Sequence, residues 1–507
     1  MPPYCRSVPP GEAFSATQDR LMMIDVVESV ANMAMATMTR LFKRNQTIRS
    51  FRRYYPLRPI PDVAKRWTQD EEFGRQRLDG INPFLIELVR QFPENFPVTE
   101  DTVAGVLPAG TSLARLLAEE RLFLIDYEIL HGLEPVFGRF CVAPMCLLWR
   151  NDQNRLMPLA IQLGQSPAEA KTMYTPKDEH WTWLMARTFV QSAEGTYHEI
   201  VAHLTRTHLV MEPFWVAACR TLPAQHPLHV LLRPHFSGTI EINHAARTKL
   251  LAPGGPIDES IAIGSEGSLT LIGLAYERWT FASVDPIRDL ESRGVMSRAV
   301  LPHYHYRDDA LALYGAIGTY VRELLSVFYT SDELVRDDTE LQAWAQELAN
   351  PAGARVRGLP IDERGGISAL DQVAAIVAQI IHACSVEHAA VNNGQYAQFG
   401  WIPNTPGALY LAPPTDHGPR NEANFVYALP DAYAAGQQLT LVHLLSERTQ
   451  TPLGTYPEEF FDDEPAARDA VDRFRGRLDD IGRAIQQRNK QLEVPYLYLQ
   501  PWLVGRS

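Results

Sequence analysis

From Leu21 to Phe42 the chain reads LMMIDVVESVANMAMATMTRLF, with apolar residues at helical spacing among good helix formers. This predicts a helix that lies against something apolar, and its methionines make that face adaptable. Core packing is the plain role for such a stripe; a lid or a membrane-docking helix is the alternative. Between Leu122 and Leu163 the pattern changes to short β-prone runs, FLIDYEIL, FCVAPMCLLW and MPLAIQL, punctuated by Gly132, Pro135 and NDQN at 151–154. These predict a small sheet or hairpin set among helices. Helical periodicity then dominates at 181–222, 309–328, 340–349, 369–396 and 464–491, with Asp308 and Asp309 placed to start the second of these. There is no internal repeat and no long flexible linker. The pattern predicts one large, mainly α unit over 1–507, with residues 1–60 as an N-terminal helical extension packed on it.

Composition changes this picture little. The chain has 507 residues, 46% hydrophobic and 21% charged, which is ordinary for a folded protein, and length alone would admit roughly three domains. Lys and Arg number 47 against 60 Asp and Glu, a net charge of −13. That excludes a basic nucleic-acid scaffold and weakens unaided binding to anionic lipid, while leaving a local apolar patch free to dock on a membrane. Five cysteines, an odd number without a CxxC pair, argue against a disulfide framework and a thiolate zinc site. No signal peptide pattern and no run of 18 apolar residues is present, so a soluble, cytoplasmic protein is expected.

The chemistry sits in histidines. YHEIVAHLTRTHLVMEPF, residues 197–214, places His198, His203 and His208 at intervals of five. The zinc protease motif HExxH needs two histidines four apart, and HEIVAH misses it by one residue. On a regular α-helix a five-residue step turns a side chain by roughly 140°, so a shared metal would require a π-type widening here. Surface histidines are the plain alternative. A second segment, CSVEHAAVNNGQY at 384–396, sets His388 and Asn392 four apart among small apolar residues, the pattern of a buried polar pair on one helix face. Imidazole with oxygen ligands and no thiolate suits iron with open positions for oxygen chemistry, with manganese as the alternative. His226, His229, His235 and His244 lie outside both segments, and His382 should point away from His388.

Together the two segments resemble the lipoxygenase family, whose pattern is His-x4-His-x4-His on one long helix followed by His-x3-Asn on a second. The likeness continues through ordered blocks, among them LPAQHPLHVLLRPH, EINHAARTKL, HYRDDALALY, NNGQYAQFGWIPNTP, TYPEEFFDDEP and VPYLYLQP. It implies a mainly α catalytic domain with a long central metal-binding helix and a small β substructure. It also implies one non-haem iron held by His203, His208, His388 and Asn392, with His198 as the non-ligand member. The family commonly begins with a β-barrel lipid-binding module that nothing before residue 100 resembles, so a compact bacterial-type member is expected. The family usually ends on an isoleucine or valine whose main-chain carboxylate is the last ligand. This chain ends PYLYLQPWLVGRS, about one residue short of that tail, which leaves the ligand position to the Ser507 carboxylate or to a water in its place.

The resemblance further implies dioxygenation of polyunsaturated fatty acids. A metal-bound hydroxide takes hydrogen from the methylene between two cis double bonds, and the radical traps O2 to give a hydroperoxide, so no side chain need act as the base. Gln395 matches the glutamine that links Asn392 to the substrate cavity, and Leu204 and Leu250 match the leucines that flank the reacting pentadiene. Ala246 falls where alanine accompanies S products. Arg247 and Lys249 lie close by and could meet a fatty-acid carboxylate, although solvation is the commoner role. A monomer with at most a peripheral membrane contact is expected. The rivals are a hydroperoxide isomerase or an oxygenase of a non-fatty-acid substrate on the same fold, and a metal-free, non-catalytic lipid-binding protein.

Overall fold

Helices build most of the structure, a computed structural model that describes residues 1–14, 16–40, 47–446, 451–457 and 460–505. The helix predicted at 21–42 is present as α1, Ala16–Arg40. The β-prone stretch forms three central strands of a five-stranded antiparallel sheet in the order β1 (Glu87–Leu88), β2 (Leu122–Asp126), β3 (Met145–Arg150), β4 (Leu156–Gln162) and β5 (Met173–Tyr174). Leu122 pairs with Trp149 and Asp126 with Met145, and the β3/β4 register shifts between Leu147 and Leu148. Alternate residues serve two cores. Phe123, Ile125, Cys146 and Leu148 face the main helical core, while Leu122, Leu124, Met145 and Leu147 face a smaller one with Phe96, Val103 and Leu116. Because both faces are covered, these strands read as continuous apolar runs without polar alternation.

The sheet positions the long central helix through one intermediary. The helix Asp70–Asp79 packs on β4, with Gly74 so close that a Cβ there would lie 1.8 Å from the Leu156 carbonyl oxygen. From this helix Arg77 reaches Glu194 at 3.0 Å and donates to Gln191. Tyr127 and Asn82 donate to the other Glu194 oxygen at 2.7 and 3.0 Å. A buried carboxylate is stable only when paired and hydrogen-bonded, and Glu194 is both. It lies one turn before His198.

The helix predicted from Asp309 begins earlier, at His305, where Asp79 accepts the His305 and Tyr306 amides at 3.0 and 3.3 Å. Asp309 is turned inward and pairs with Arg488 at 2.5 Å. A carboxylate from a distant segment therefore caps this helix, which is why the local pattern misplaced its start. Two helices, His305–Phe328 and Leu370–Gln398, are long and apolar enough by length and composition to cross a membrane. The apolar window of the second is 89% buried inside the protein, as a core helix requires. All five cysteines are free thiols.

Candidate metal centre

The central helix runs as α over His180–Tyr197, as π over His198–Leu209 and as α again over Glu212–Thr221. This is the widening that the five-residue histidine spacing required. An i→i+5 ladder adds nearly a residue per turn, so five residues make about one turn and the histidines align. The Thr205 hydroxyl donates to the Ile200 carbonyl at 2.5 Å, and the Val210 amide donates to Thr205 at 3.1 Å, both across five residues. The second helix is α over Leu370–His382, π over Ala383–Glu387 and α over His388–Asn392.

Where the two helices cross, His203, His208 and His388 bring one ring nitrogen each to within 4.8 Å of one another, all buried; among the described residues no other His, Cys, Asp and Glu group converges in this way. His203 Nε2 and His208 Nε2 are 3.1 Å apart. That separation is the edge that two ligands about 2.1 Å from a common ion make close to a right angle. Burial and the neighbouring imidazoles push His203 and His388 well below the ordinary histidine value, and burial pushes His208 down to about 4. All three are neutral near pH 7, as lone-pair donors must be. His208 Nδ1 is buried without a hydrogen-bond partner. Three neutral imidazoles with no thiolate fit a borderline cation of the iron or manganese kind.

Asn392 is buried one helical turn beyond His388, and its Oδ1 accepts from Gln395 Nε2 at 3.2 Å. Gln395 is itself fully buried, so it steers the amide and is no solvent-facing residue. His198 stands apart: its Nε2 donates to the Val391 carbonyl at 2.9 Å. Ser507 lies outside the described residues. Leu204 is buried beside His203. Ala246 is buried at the start of a further π segment, Ala246–Leu250, which ends on the partly buried Leu250. Asn243, just before it, donates to the His208 carbonyl at 3.1 Å and to Glu212 at 3.0 Å, tying this segment to the histidine cluster. Arg247 is not a solvated cation: it pairs with Glu212 at 2.8 Å beneath the Tyr4 ring, while Lys249 is exposed.

His226 caps the helix Pro227–Phe236 and contacts Asp338, and His382 packs on Tyr314 away from the cluster. One feature escaped the sequence reading. Arg206 and Glu387 form a forked pair, with contacts of 2.9 and 2.7 Å, that joins the two histidine helices beside the cluster. Its only sequence signal is that opposite charges flank His208 and His388.

The family model described as Lipoxygenase matches residues 12–496. The human polyunsaturated fatty acid lipoxygenase ALOX15B is 39% identical over 476 residues, covering 91% of this chain and 69% of that protein. The human hydroperoxide isomerase ALOXE3 is 38% identical over 456 residues, covering 88% and 63%. Among solved structures, a calcium-dependent 11R-lipoxygenase superposes with a TM-score of 0.93 at 31% identity, covering 100% of this chain and 76% of that one. The delta413-417:GS LOX crystallised anaerobically in complex with arachidonate does so with a TM-score of 0.93 at 29% identity, covering 100% and 77%.

Proposed function

Because the chain belongs to the lipoxygenase family, we propose that it inserts O2 into polyunsaturated fatty acids carrying a cis,cis-1,4-pentadiene and releases S hydroperoxides. The observation that carries this reading is the convergence of three buried, neutral imidazoles at one point between two helices. His203, His208 and His388 would hold one non-haem iron, with manganese the alternative, and Asn392 would add an amide oxygen. Bound there, such an ion supplies one-electron oxidation at a weak, doubly allylic C–H bond.

The chain's own residues do the rest. Burial keeps the imidazoles unprotonated, and Gln395 holds the Asn392 amide by its Oδ1. Leu204 and Leu250 give the pentadiene apolar walls and exclude water, burying acyl surface at about 25 cal/mol per Å². The Ala246 methyl narrows one end of that space, so O2 reaches one face of the radical. The reading includes a monomer in a reducing, cytoplasmic setting, and a peripheral contact of α1 with the lipid that holds the substrate.

The test is conjugated-diene absorbance on adding linoleate or arachidonate, with metal analysis and chiral product analysis on the same sample. About one iron per chain, a rising diene signal and an S product are expected, and Ala246→Gly should shift the product towards R. The resemblance to ALOXE3 supports a second reading, hydroperoxide isomerisation. Iron-loaded protein that forms no diene but consumes added hydroperoxide would favour it. Protein that takes up no metal would instead be a lipid-binding member without catalysis.

A further inference from the structure

Among its described side chains, α1 carries an apolar face that points away from the protein. Its face against the protein carries Ser29, Asn32 and Ala36, each 2% exposed or less, while Met23, Val27, Val30 and Met38 are between 50% and 63% exposed. At about 100° per residue these four fall within roughly 80° of one another, on the side away from the buried three. The inward face is held by Met33 and Ala36, packed against Gly436 and the core, and by polar bonds. Asn32 Nδ2 donates to the Tyr54 carbonyl at 3.0 Å, its Oδ1 accepts the Leu57 amide at 3.2 Å, and Arg58 donates to the Ser29 hydroxyl at 2.8 Å. A surface helix of a globular protein directs its apolar stripe at the core. Here the stripe is presented outward.

Charge identifies what it meets. Over residues 16–61 the sequence carries eight Arg and Lys against three acidic residues, Asp19, Asp25 and Glu28, in a chain of net charge −13. Arg49, Arg52 and Arg53 are exposed on the short 3-10 helix Ile48–Tyr54, which packs against α1. An apolar stripe beside a cationic stretch is complementary to an anionic bilayer, whose acyl region takes the Met and Val side chains while its phosphates meet guanidinium groups. A second copy of this chain is a poor occupant, because a two-fold contact sets the cationic stretch against itself. The overall negative charge opposes docking, but only weakly at contact. Salt screens charges beyond about 8 Å, so the membrane responds to the local stretch.

We propose that the outward face of α1 and the exposed Arg49, Arg52 and Arg53 form a docking surface selective for anionic bilayers, which brings the catalytic centre to acyl chains held there. This rests on, and deepens, the peripheral lipid contact proposed above. It is tested by co-sedimentation of the whole chain with vesicles of phosphatidylcholine alone and with about 30 mol% phosphatidylglycerol, where binding should be at least about tenfold tighter to the second. About 0.5 M salt should remove that preference. Combined Arg49→Gln, Arg52→Gln and Arg53→Gln should erase the preference. Combined Met23→Ser, Val27→Ser and Met38→Ser should weaken binding to both vesicles. An unchanged rate on linoleate dispersed in neutral detergent reports that each variant is folded, and the wild-type comparison stands without them. Wild-type protein that binds neither vesicle removes the lipid contact itself. Equal binding to both, or a preference that survives the arginine changes, leaves the contact and overturns the anionic selectivity. A dimer in sedimentation that the Met and Val changes dissociate assigns the stripe to a second copy and overturns the proposal.

Discussion

His198 donates from Nε2 to a carbonyl that can only accept, so its Nδ1 is the bare nitrogen. Glu199 Oε1 lies 3.7 Å from that Nδ1, and both atoms are buried without a closer partner. Burial pushes Glu199 up to about 8 from its ordinary 4.5 and His198 down to about 4. Near pH 6 both are therefore neutral. A carboxyl whose value is raised on folding contributes stability that is full below 4.5 and is lost as pH rises through about 8. Glu199→Gln removes the ionisation while keeping the shape. It should match the parent in urea denaturation near pH 5 and exceed it by about 2–5 kcal/mol above pH 8. An equal difference at both pH values would show that Glu199 is ionised in the folded protein throughout. The resemblance of two short segments to the family pattern pointed to His203, His208, His388 and Asn392. The state of Glu199 depends on what covers it, and no neighbour in sequence reports that.

Between elements, the Arg206–Glu387 pair links the two histidine helices one or two residues from His208 and His388. Arg206 also donates to the Ser283 carbonyl and lies over the Phe84 ring, so removing either partner strands a buried charge. Arg206→Met or Glu387→Gln should each cost about 3–5 kcal/mol in denaturant unfolding, and the double Arg206→Met/Glu387→Leu less than either. Additive losses would mean that the two charges do not depend on each other. The π segment at His198–Leu209 could be anticipated, because five-residue spacing is incompatible with a shared metal on an α-helix. The π segments at Ala383–Glu387 and Ala246–Leu250 could not. They carry no paired ligands whose spacing betrays them, and their widening depends on which carbonyls find donors across the packed helices. Likewise the apolar period of α1 was plain, but its outward direction was not, since Ser29 and Asn32 are bound by residues from 54–58.

Across the whole molecule, burial holds further histidines neutral: His198 and His235 are pushed down to about 4 and His382 to about 3. A base lowered on folding contributes stability that is present above its ordinary 6.5 and is lost as pH falls towards the folded value. With His203, His208 and His388 these histidines make six buried, lowered imidazoles, so the melting temperature should fall steeply between about pH 6.5 and 4, with up to about six protons taken up on unfolding, as calorimetry over that range would measure. A flat profile would show that these imidazoles are accessible in the folded state. At this scale the sequence by itself determined a mainly α chain with a small sheet, the histidine and asparagine set, and a helix with an apolar stripe near the N-terminus. The helices and the sheet follow from local periodicity, and the histidine and asparagine set from the resemblance of two segments to the family pattern. Only the tertiary structure decided where the two histidine helices cross, which charges clamp them, which carboxylate caps the helix at His305, and that α1 faces outward. Those outcomes depend on partners distant in sequence, brought together by burying two apolar cores whose packing no single segment encodes.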